Sequence, residues 1–308
     1  MSATHASAPA HARGGSPAKV SQARLATTAR RKFRVSKLVG NLTAIVVALL
    51  WVFPVYWMIN SSFTPNARLS SRTPSFFPTN ATTANYENAT DGTGFWSALQ
   101  MSLLITIVTL IAVILFAFLA ALAISRFKFR GRKSFIVAVL FIQMLPAEGL
   151  FIAQYKMLSA TNLLNSVVGV SILYTAAIVP FTIWMLRGFV AGIPAELEEA
   201  AMVDGLSRTK AFLKITFPLL APGLVAAGVY AFLQAWNEFT IALVALPAAD
   251  KQTLPLWLRG FLNASVNQGV NWAQVMAAST LIALPVMIFF LFVQNKMTGG
   301  LVSGAVKG

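Results

Sequence analysis

Six long apolar runs constrain this chain more than any other feature of its sequence. They lie at residues 38–59, 99–124, 135–157, 164–186, 219–246 and 272–293. A helix rises ~1.5 Å per residue, so about 20 residues cross a bilayer core of ~30 Å, and each run has roughly that length. None alternates polar with apolar residues, as the strands of a membrane barrel do. The sequence therefore predicts an all-α membrane protein with six transmembrane helices.

The composition agrees with this class. Hydrophobic residues make up 57% of the chain and charged residues only 11%. A soluble domain needs more polar surface than this, which leaves an integral membrane protein as the expected class.

Basic residues are distributed unevenly between the segments that join the six runs. With residue 1 inside, the inner segments hold most of the 24 Lys and Arg residues. The outer side has only Arg68, Arg72, Lys156, Lys251 and Arg259. Short loops rich in Lys and Arg stay in the cytoplasm, so both termini are predicted to be cytoplasmic. The net charge of +15 then reflects membrane topology, and nucleic acid is not an expected partner.

The predicted domain organisation follows from these runs. Residues 1–37 form a basic cytoplasmic tail whose Ala, Pro, Ser, Arg and Lys content predicts disorder. Residues 38–297 form the transmembrane domain, with a cytoplasmic loop at 188–218, and residues 298–308 form a C-terminal cytoplasmic tail.

Several kinds of chemistry lack the residues that they need. The chain has no phosphate-binding G-x-x-x-x-G-K-[ST] motif, so it is not expected to bind ATP itself. Its two histidines, His5 and His11, lie in the tail, and it has no cysteine. No metal site and no catalytic triad are expected among the spans, and an enzyme is not predicted.

A few polar residues within the runs are candidates for a transport pathway, because polar groups in a membrane usually face a polar cavity. They are Gln143, Glu148, Gln154, Trp236, Asn237 and Glu238. Pro146 predicts a kink beside Glu148. Glu238 lies near the outer interface, where an interfacial or helix-packing role is favoured. A proton-coupled secondary transporter using Glu148 is the main alternative function; a membrane-bound enzyme and a passive scaffold are weaker alternatives.

A charged segment interrupts the apolar pattern between the fourth and fifth runs. Pro194, Glu196, Glu198 and Glu199 predict the start of a short helix over 194–204, since acids favour a helix N-terminus. Gly205 is expected in a left-handed C-terminal cap, and Ser207 is expected to cap a second helix. Ala200 and Ala201 would let another backbone approach closely. The segment predicts a rigid acidic surface that docks into a partner's groove.

The spacing in this segment closely resembles the EAA loop of ABC importer permeases. The matching positions are Glu199, Ala200, Ala201, Gly205, Ile215, Phe217 and Pro218, with Phe217 where the family usually has Leu. The Asn-Ser-Ser-Phe after the first run, the Met-Leu-Pro-Ala-Glu of the third, Trp236-Asn237-Glu238-Phe239 and the closing Gly-Ala-Val-Lys-Gly resemble the carbohydrate branch. In particular, they resemble the six-span permease subunit of maltose-type systems.

The resemblance implies a type I ABC importer permease fold in a bacterial inner membrane. It also implies four kinds of partner: a homologous second permease, an ATPase dimer that carries ATP and magnesium, an extracytoplasmic sugar-binding protein, and the sugar. This chain itself would bind no cofactor and catalyse no reaction. Its coupling helix would seat in the ATPase through Glu198, Glu199, Ala200, Ala201, Asp204, Gly205, Ile215 and Pro218.

Two further regions match the family by position. The outer loop 248–271 corresponds to a loop that contacts the binding protein, which makes Lys251, Leu254, Trp257 and Arg259 contact candidates; a plain connector is the alternative. The tail 299–308 corresponds to one that enters the ATPase interface, with a frayed terminus as the alternative.

Overall fold

The computed structural model describes residues 17–304 except 70, 72, 74, 79 and 267–269. For residues 17–36, 147, 148, 264–266 and 297–304 it describes the helix or turn but not the side chains. The chain divides into two compact units, Met1–Trp57 and Met58–Gly308. The described residues form helices and turns, without a strand, which agrees with the predicted all-α class.

Thirteen α-helices make up the described part of the chain. They are α1 (Pro17–Ser62), α2 (Asn66–Leu69), α3 (Ala84–Thr90), α4 (Phe95–Arg126), α5 (Arg132–Ile142), α6 (Phe151–Ala160), α7 (Val167–Ala191), α8 (Glu196–Val203), α9 (Arg208–Ala211), α10 (Phe217–Asn237), α11 (Thr240–Ala245), α12 (Leu254–Val266) and α13 (Trp272–Gly304). Short 3₁₀ turns lie at Ala147–Leu150 and Ala249–Lys251, and a π-helical turn lies at Phe212–Thr216.

Five helices in the described residues are long and apolar enough to cross a membrane. They are Lys37–Ser62, Phe95–Arg126, Val167–Ala191, Arg208–Asn237 and Trp272–Lys296. These correspond to the first, second, fourth, fifth and sixth predicted spans.

The third predicted span is not one continuous helix. The run 135–157 is divided between α5 and α6, with a turn and the 3₁₀ segment Ala147–Leu150 between them. Pro146 lies at this break, where a kink was predicted. Proline lacks the N–H that would continue the hydrogen-bond ladder of the helix. Gln143 and Gln154 therefore do not lie on one continuous helix.

The fifth predicted span, 219–246, is also interrupted. Helix α10 ends at Asn237, Glu238 has an extended backbone, and α11 begins at Thr240. The Glu238 carboxylate accepts the backbone N–H groups of Ile241 (2.7 Å) and Ala242 (3.0 Å). It therefore caps the N-terminus of α11, which stabilises the break.

The ends of the chain are more helical than their composition predicted. Helix α1 begins at Pro17, so residues 17–37 are helical where disorder was expected. Ala, Arg and Lys are good helix formers and are frequent there, which explains the difference. Helix α13 likewise continues to Gly304, into the predicted tail. Residues 1–16, with His5 and His11, and residues 305–308 lie outside the described part.

The core of the second unit is formed where α4 packs along α7 and α10. The buried residues of α4 recur every three or four positions, as one helical face requires. Small side chains such as Ala117, Ala121 and Ala227 are fully buried in this interface. At Gly223 an added Cβ would lie 2.5 Å from the Phe189 ring, so α10 approaches α7 closely there. Small residues at such contacts are typical of membrane helix packing.

Candidate functional site

Helix α8 forms where the sequence placed a short helix, but over a narrower range. It covers Glu196–Val203 rather than 194–204, with Pro194 before the helix and Ala195 at its N-cap. Glu196, Glu198 and Glu199 occupy the first turn as predicted, where negative charge complements the partial positive charge of the helix end.

The C-terminal end of α8 confirms the predicted cap. Gly205 has φ +89°, a left-handed conformation. The N–H of Leu206 donates to the Ala201 carbonyl (3.1 Å), and the N–H of Gly205 donates to the Met202 carbonyl (3.0 Å). This pair of bonds is a Schellman motif. Ser207 then caps α9, accepting from the Lys210 N–H (3.4 Å), also as predicted. Residues 196–205 are therefore a short helix with a closed C-terminal end, and we call them the α8 knob.

The two alanines of the α8 knob face different ways. Ala201 is buried as α8 packs against α9 and the following π-helical turn, whereas Ala200 is exposed. The expectation that both alanines are open to a partner is therefore wrong for Ala201. The outward face instead includes Glu199, Ala200 and Val203, and the Val203 side chain is 88% exposed.

Glu198 turns away from this outward face and is largely buried. Its Oε1 accepts the Thr216 hydroxyl (2.6 Å) and lies 3.4 Å from the Nη2 atom of Arg126. The same guanidinium nitrogen donates to the backbone carbonyl of Ile193 (3.1 Å). The side chains of Arg126 and Glu198 are 15% and 14% exposed. One carboxylate thus joins the end of α4, the first turn of α8 and the chain that leads into α10.

The remaining coupling candidates lie on this connecting chain. Residues Phe212–Thr216 form a π-helical turn, in which the N–H of Phe217 bonds to the Phe212 carbonyl. Pro218 follows Phe217, and a proline has no N–H to donate the next hydrogen bond of a regular ladder. Ile215 is half-buried, while Asp204 and Pro218 are exposed. π-Helical turns are often found at functional sites.

Sequence reasoning identified Glu198 but missed its partners. Arg126 was counted only as one of the basic residues that indicate topology, and Thr216 lies at an unremarked position of the motif. The only sequence signal for their contact was that Arg126 is a basic residue at the end of a span and Glu198 is an acid in the first turn of a helix. Contact between them depends on how α4, α8 and α10 pack.

Most of the predicted pathway residues are not brought together. Trp236 is buried, and its indole N–H donates to the Ile282 carbonyl (3.3 Å), so it packs against α13 and does not line a pathway. Glu238 is the α11 cap described above. Gln143 is exposed and Gln154 is half-buried, whereas the Glu148 side chain lies outside the described residues.

Asn237 belongs to an exposed polar face that the sequence reading overlooked. Tyr230, Gln234 and Asn237 follow at spacings of four and three, which places them on one side of α10. Gln234 and Asn237 are exposed, and Tyr230 is half-buried with its ring 4.6 Å from that of Phe181. The opposite side of α10 carries buried residues, including Ala231 and Ala235. The signal was present in the sequence, because the polar residues Tyr230, Gln234 and Asn237 recur at helical spacing at the end of an otherwise apolar run.

The loop 248–271 is anchored to the rest of the chain by two of its own candidate contact residues. Trp257 is buried and donates its indole N–H to the Thr93 carbonyl (2.8 Å), and the Leu254 N–H donates to the Ser102 hydroxyl (2.7 Å). Their burial removes both as direct contacts for a partner. Lys251 and Arg259 remain exposed.

Comparison with known proteins identifies the family. Residues 113–298, more than half of the chain, match the model described as "Binding-protein-dependent transport system inner membrane component". The chain belongs to this family. The matched residues of this permease include α7 to α11 in full, and hence the α8 knob and the polar face of α10.

Relatives and solved structures agree with this assignment. The permease is 43% identical over 268 residues to the diacetylchitobiose uptake system permease protein DasC of Streptomyces coelicolor, covering 87% of this chain and 96% of that one. It is 32% identical over 257 residues to the trehalose transport system permease protein SugB of Mycobacterium tuberculosis, covering 83% and 93%. A bacterial ABC transporter that imports alginate shares the fold, with a TM-score of 0.70 at 23% identity over 86% of this chain and 97% of that one.

Proposed function

We propose that this permease is a subunit of an ATP-driven importer for a short carbohydrate. It would work with a second permease, an ATPase pair and an extracytoplasmic binding protein. The supporting observation is the α8 knob, whose C-terminal end is closed at Gly205 and whose Glu199, Ala200 and Val203 face outward. DasC and SugB, named for uptake of diacetylchitobiose and trehalose, favour an oligosaccharide substrate.

The mechanism that we infer places ATP chemistry on the partner ATPase. The α8 knob docks into a groove of the ATPase, and closure of the ATPase pair displaces the knob. The spans then rock between states open to opposite sides of the membrane, which is alternating access. The chain's own residues bind the partner, transmit the displacement and line part of the pathway; they perform no covalent step.

The function is tested by purifying the tagged permease with its associated subunits and reconstituting the complex in vesicles. We expect ATP inside the vesicles and a loaded binding protein outside to drive oligosaccharide uptake. A proton gradient should not replace ATP. Uptake driven by the gradient alone would instead support the proton-coupled alternative, and absence of an ATPase from the purified complex would contradict the proposal.

We also propose that both termini are cytoplasmic, with α5 and α6 together making a sixth crossing. The asymmetry of Lys and Arg supports this orientation. The outer end of α10 then opens toward the binding protein. Tyr230, Gln234 and Asn237 would meet the carbohydrate there, since amide side chains on a membrane helix favour a polar cavity over lipid. Lys251 and Arg259 would face the binding protein.

The chain has no cysteine, so single-cysteine variants can test this arrangement. A charged, membrane-impermeant maleimide added outside should label Asn88→Cys but not Gly131→Cys. It should also label Gln234→Cys and Asn237→Cys in the ATP-bound complex, and the substrate should slow that labelling. Leu104→Cys, an exposed apolar position of α4, provides the control that stays unlabelled. Reversed labelling of Asn88→Cys and Gly131→Cys would contradict the orientation, and unlabelled Gln234→Cys and Asn237→Cys in every nucleotide state would exclude this pathway.

A further inference from the structure

Glu198 differs from the other acidic residues of the α8 knob. Glu196, Glu199 and Asp204 are exposed, whereas the Glu198 carboxylate is largely buried between Arg126 and Thr216. A buried carboxylate needs partners, because an unpaired charge in a low-dielectric site is strongly destabilising. Its position is therefore determined by residues outside the α8 knob.

Arg126 fixes the α8 knob from the side of α4. It is the last residue of that helix, and its Nη2 atom contacts both the Glu198 carboxylate and the Ile193 carbonyl. Ile193 lies just before α8, so a single guanidinium group holds the entry to the α8 knob and its first turn. Both contacts come from the same Nη2 atom, whose two N–H groups can point at the two oxygens.

Thr216 fixes the α8 knob from the side of α10. It is fully buried at the end of the π-helical turn, one residue before α10 begins. Its hydroxyl donates to the same Oε1 atom that faces Arg126. Two spans therefore meet at one oxygen of the α8 knob.

We propose that Arg126, Glu198 and Thr216 are positioning residues that join α8, the end of α4 and the start of α10 into one rigid body. Displacement of the α8 knob then moves both spans together. This inference rests on the proposed function of the α8 knob, and it assigns to Glu198 an internal role rather than direct contact with the ATPase. Glu199 and Val203 remain for that contact.

Distance measurements between spin labels test the rigid body directly. Labels at Glu196→Cys in α8 and Leu219→Cys in α10 use exposed positions outside the network, in a complex whose partner subunits lack accessible cysteine. We expect one narrow distance distribution that keeps its width with and without ATP. Thr216→Val or Arg126→Gln in the same double-cysteine chain should widen it. An unchanged width in both variants would overturn the proposal.

Transport measurements provide the second test. We expect Thr216→Val and Arg126→Gln to retain the ATPase but to transport about 10–100-fold less sugar per ATP hydrolysed, since a small misplacement is enough to cost this much. Thr216→Ser keeps the hydroxyl and should restore coupling, and Arg130→Gln in the same basic loop is the matched control. Normal coupling in both variants, or loss of ATPase binding without a wider distance distribution, would overturn the proposal.

The experiments distinguish failure of the proposed function from failure of the proposed rigid body. If the unmodified complex shows no ATP-driven uptake, the function is wrong whatever the variants do. The label distances still report on the network in that case, because they do not depend on transport.

Discussion

Replacing Gly205 with valine is expected to reduce ATP-driven uptake about tenfold or more while the permease remains at normal abundance in the membrane. Gly205 has φ +89°, and a β-branched residue there costs about 1–2 kcal/mol. A free energy of this size changes the equilibrium constant between the docked and undocked α8 knob about tenfold. The two hydrogen bonds that end α8 would break or shift, so the α8 knob would no longer fit its groove. Uptake by vesicles and immunoblots of membranes measure the two quantities.

Two control variants separate this effect from general backbone strain. Gly92 has φ +67° and, like Gly205, no atom within 4 Å of an added Cβ. Gly92→Val therefore carries similar strain, on the side that we propose to be extracytoplasmic, and should leave uptake close to normal. Gly205→Asn should also transport, because asparagine tolerates the left-handed region. If Gly205→Val transports normally, the α8 knob does not couple the chain to an ATPase.

Val203→Lys is expected to weaken retention of the ATPase by about 30-fold. Val203 is 88% exposed in the free chain, so its side chain contributes little to the fold. A lysine near the C-terminus of α8 even complements the helix dipole. Burying its ammonium group without a partner in a docking groove costs about 2 kcal/mol or more, which gives the expected factor. Titration of the purified permease complex with ATPase measures the change.

Val203→Ala is the matched variant for this position. It removes two methyl groups but adds no charge, so it should reduce ATPase binding much less than Val203→Lys does. Equal binding by Val203→Lys and the unmodified chain would mean that Val203 stays outside the interface. The docking surface would then lie elsewhere on the exposed loop.

Sequence alone predicted the helical class and the local geometry of the α8 knob, because both depend on near neighbours in the chain. Apolar length identified the spans, and acids followed by a glycine identified α8 and its cap at Gly205. A kink was predicted at Pro146, whereas the structure has a full break between α5 and α6 there. The break at Glu238 was missed, since a carboxylate that caps α11 is indistinguishable by type from one that lines a pathway.

The tertiary contacts could not be predicted in the same way. Arg126 and Glu198 are far apart in sequence, and neither spacing nor composition reports their contact. The burial of Trp257 and Leu254 likewise depends on where α12 settles on the N-terminal end of α4. From sequence, every candidate residue of loop 248–271 was therefore given the same role of contacting a partner. The structure shows that Leu254 and Trp257 anchor the loop, whereas Lys251 and Arg259 are exposed.

Helix α4 has a consequence for how the two sides of the membrane communicate. Its 32 residues make a rod of about 48 Å, with Ser102 holding α12 near one end and Arg126 holding the α8 knob at the other. If docking at either end favours the same arrangement of this rod, the two binding equilibria are linked. Linkage between two binding equilibria is reciprocal. If a loaded binding protein increases the affinity of the permease for the closed ATPase, the closed ATPase must increase the affinity for the loaded binding protein by the same factor.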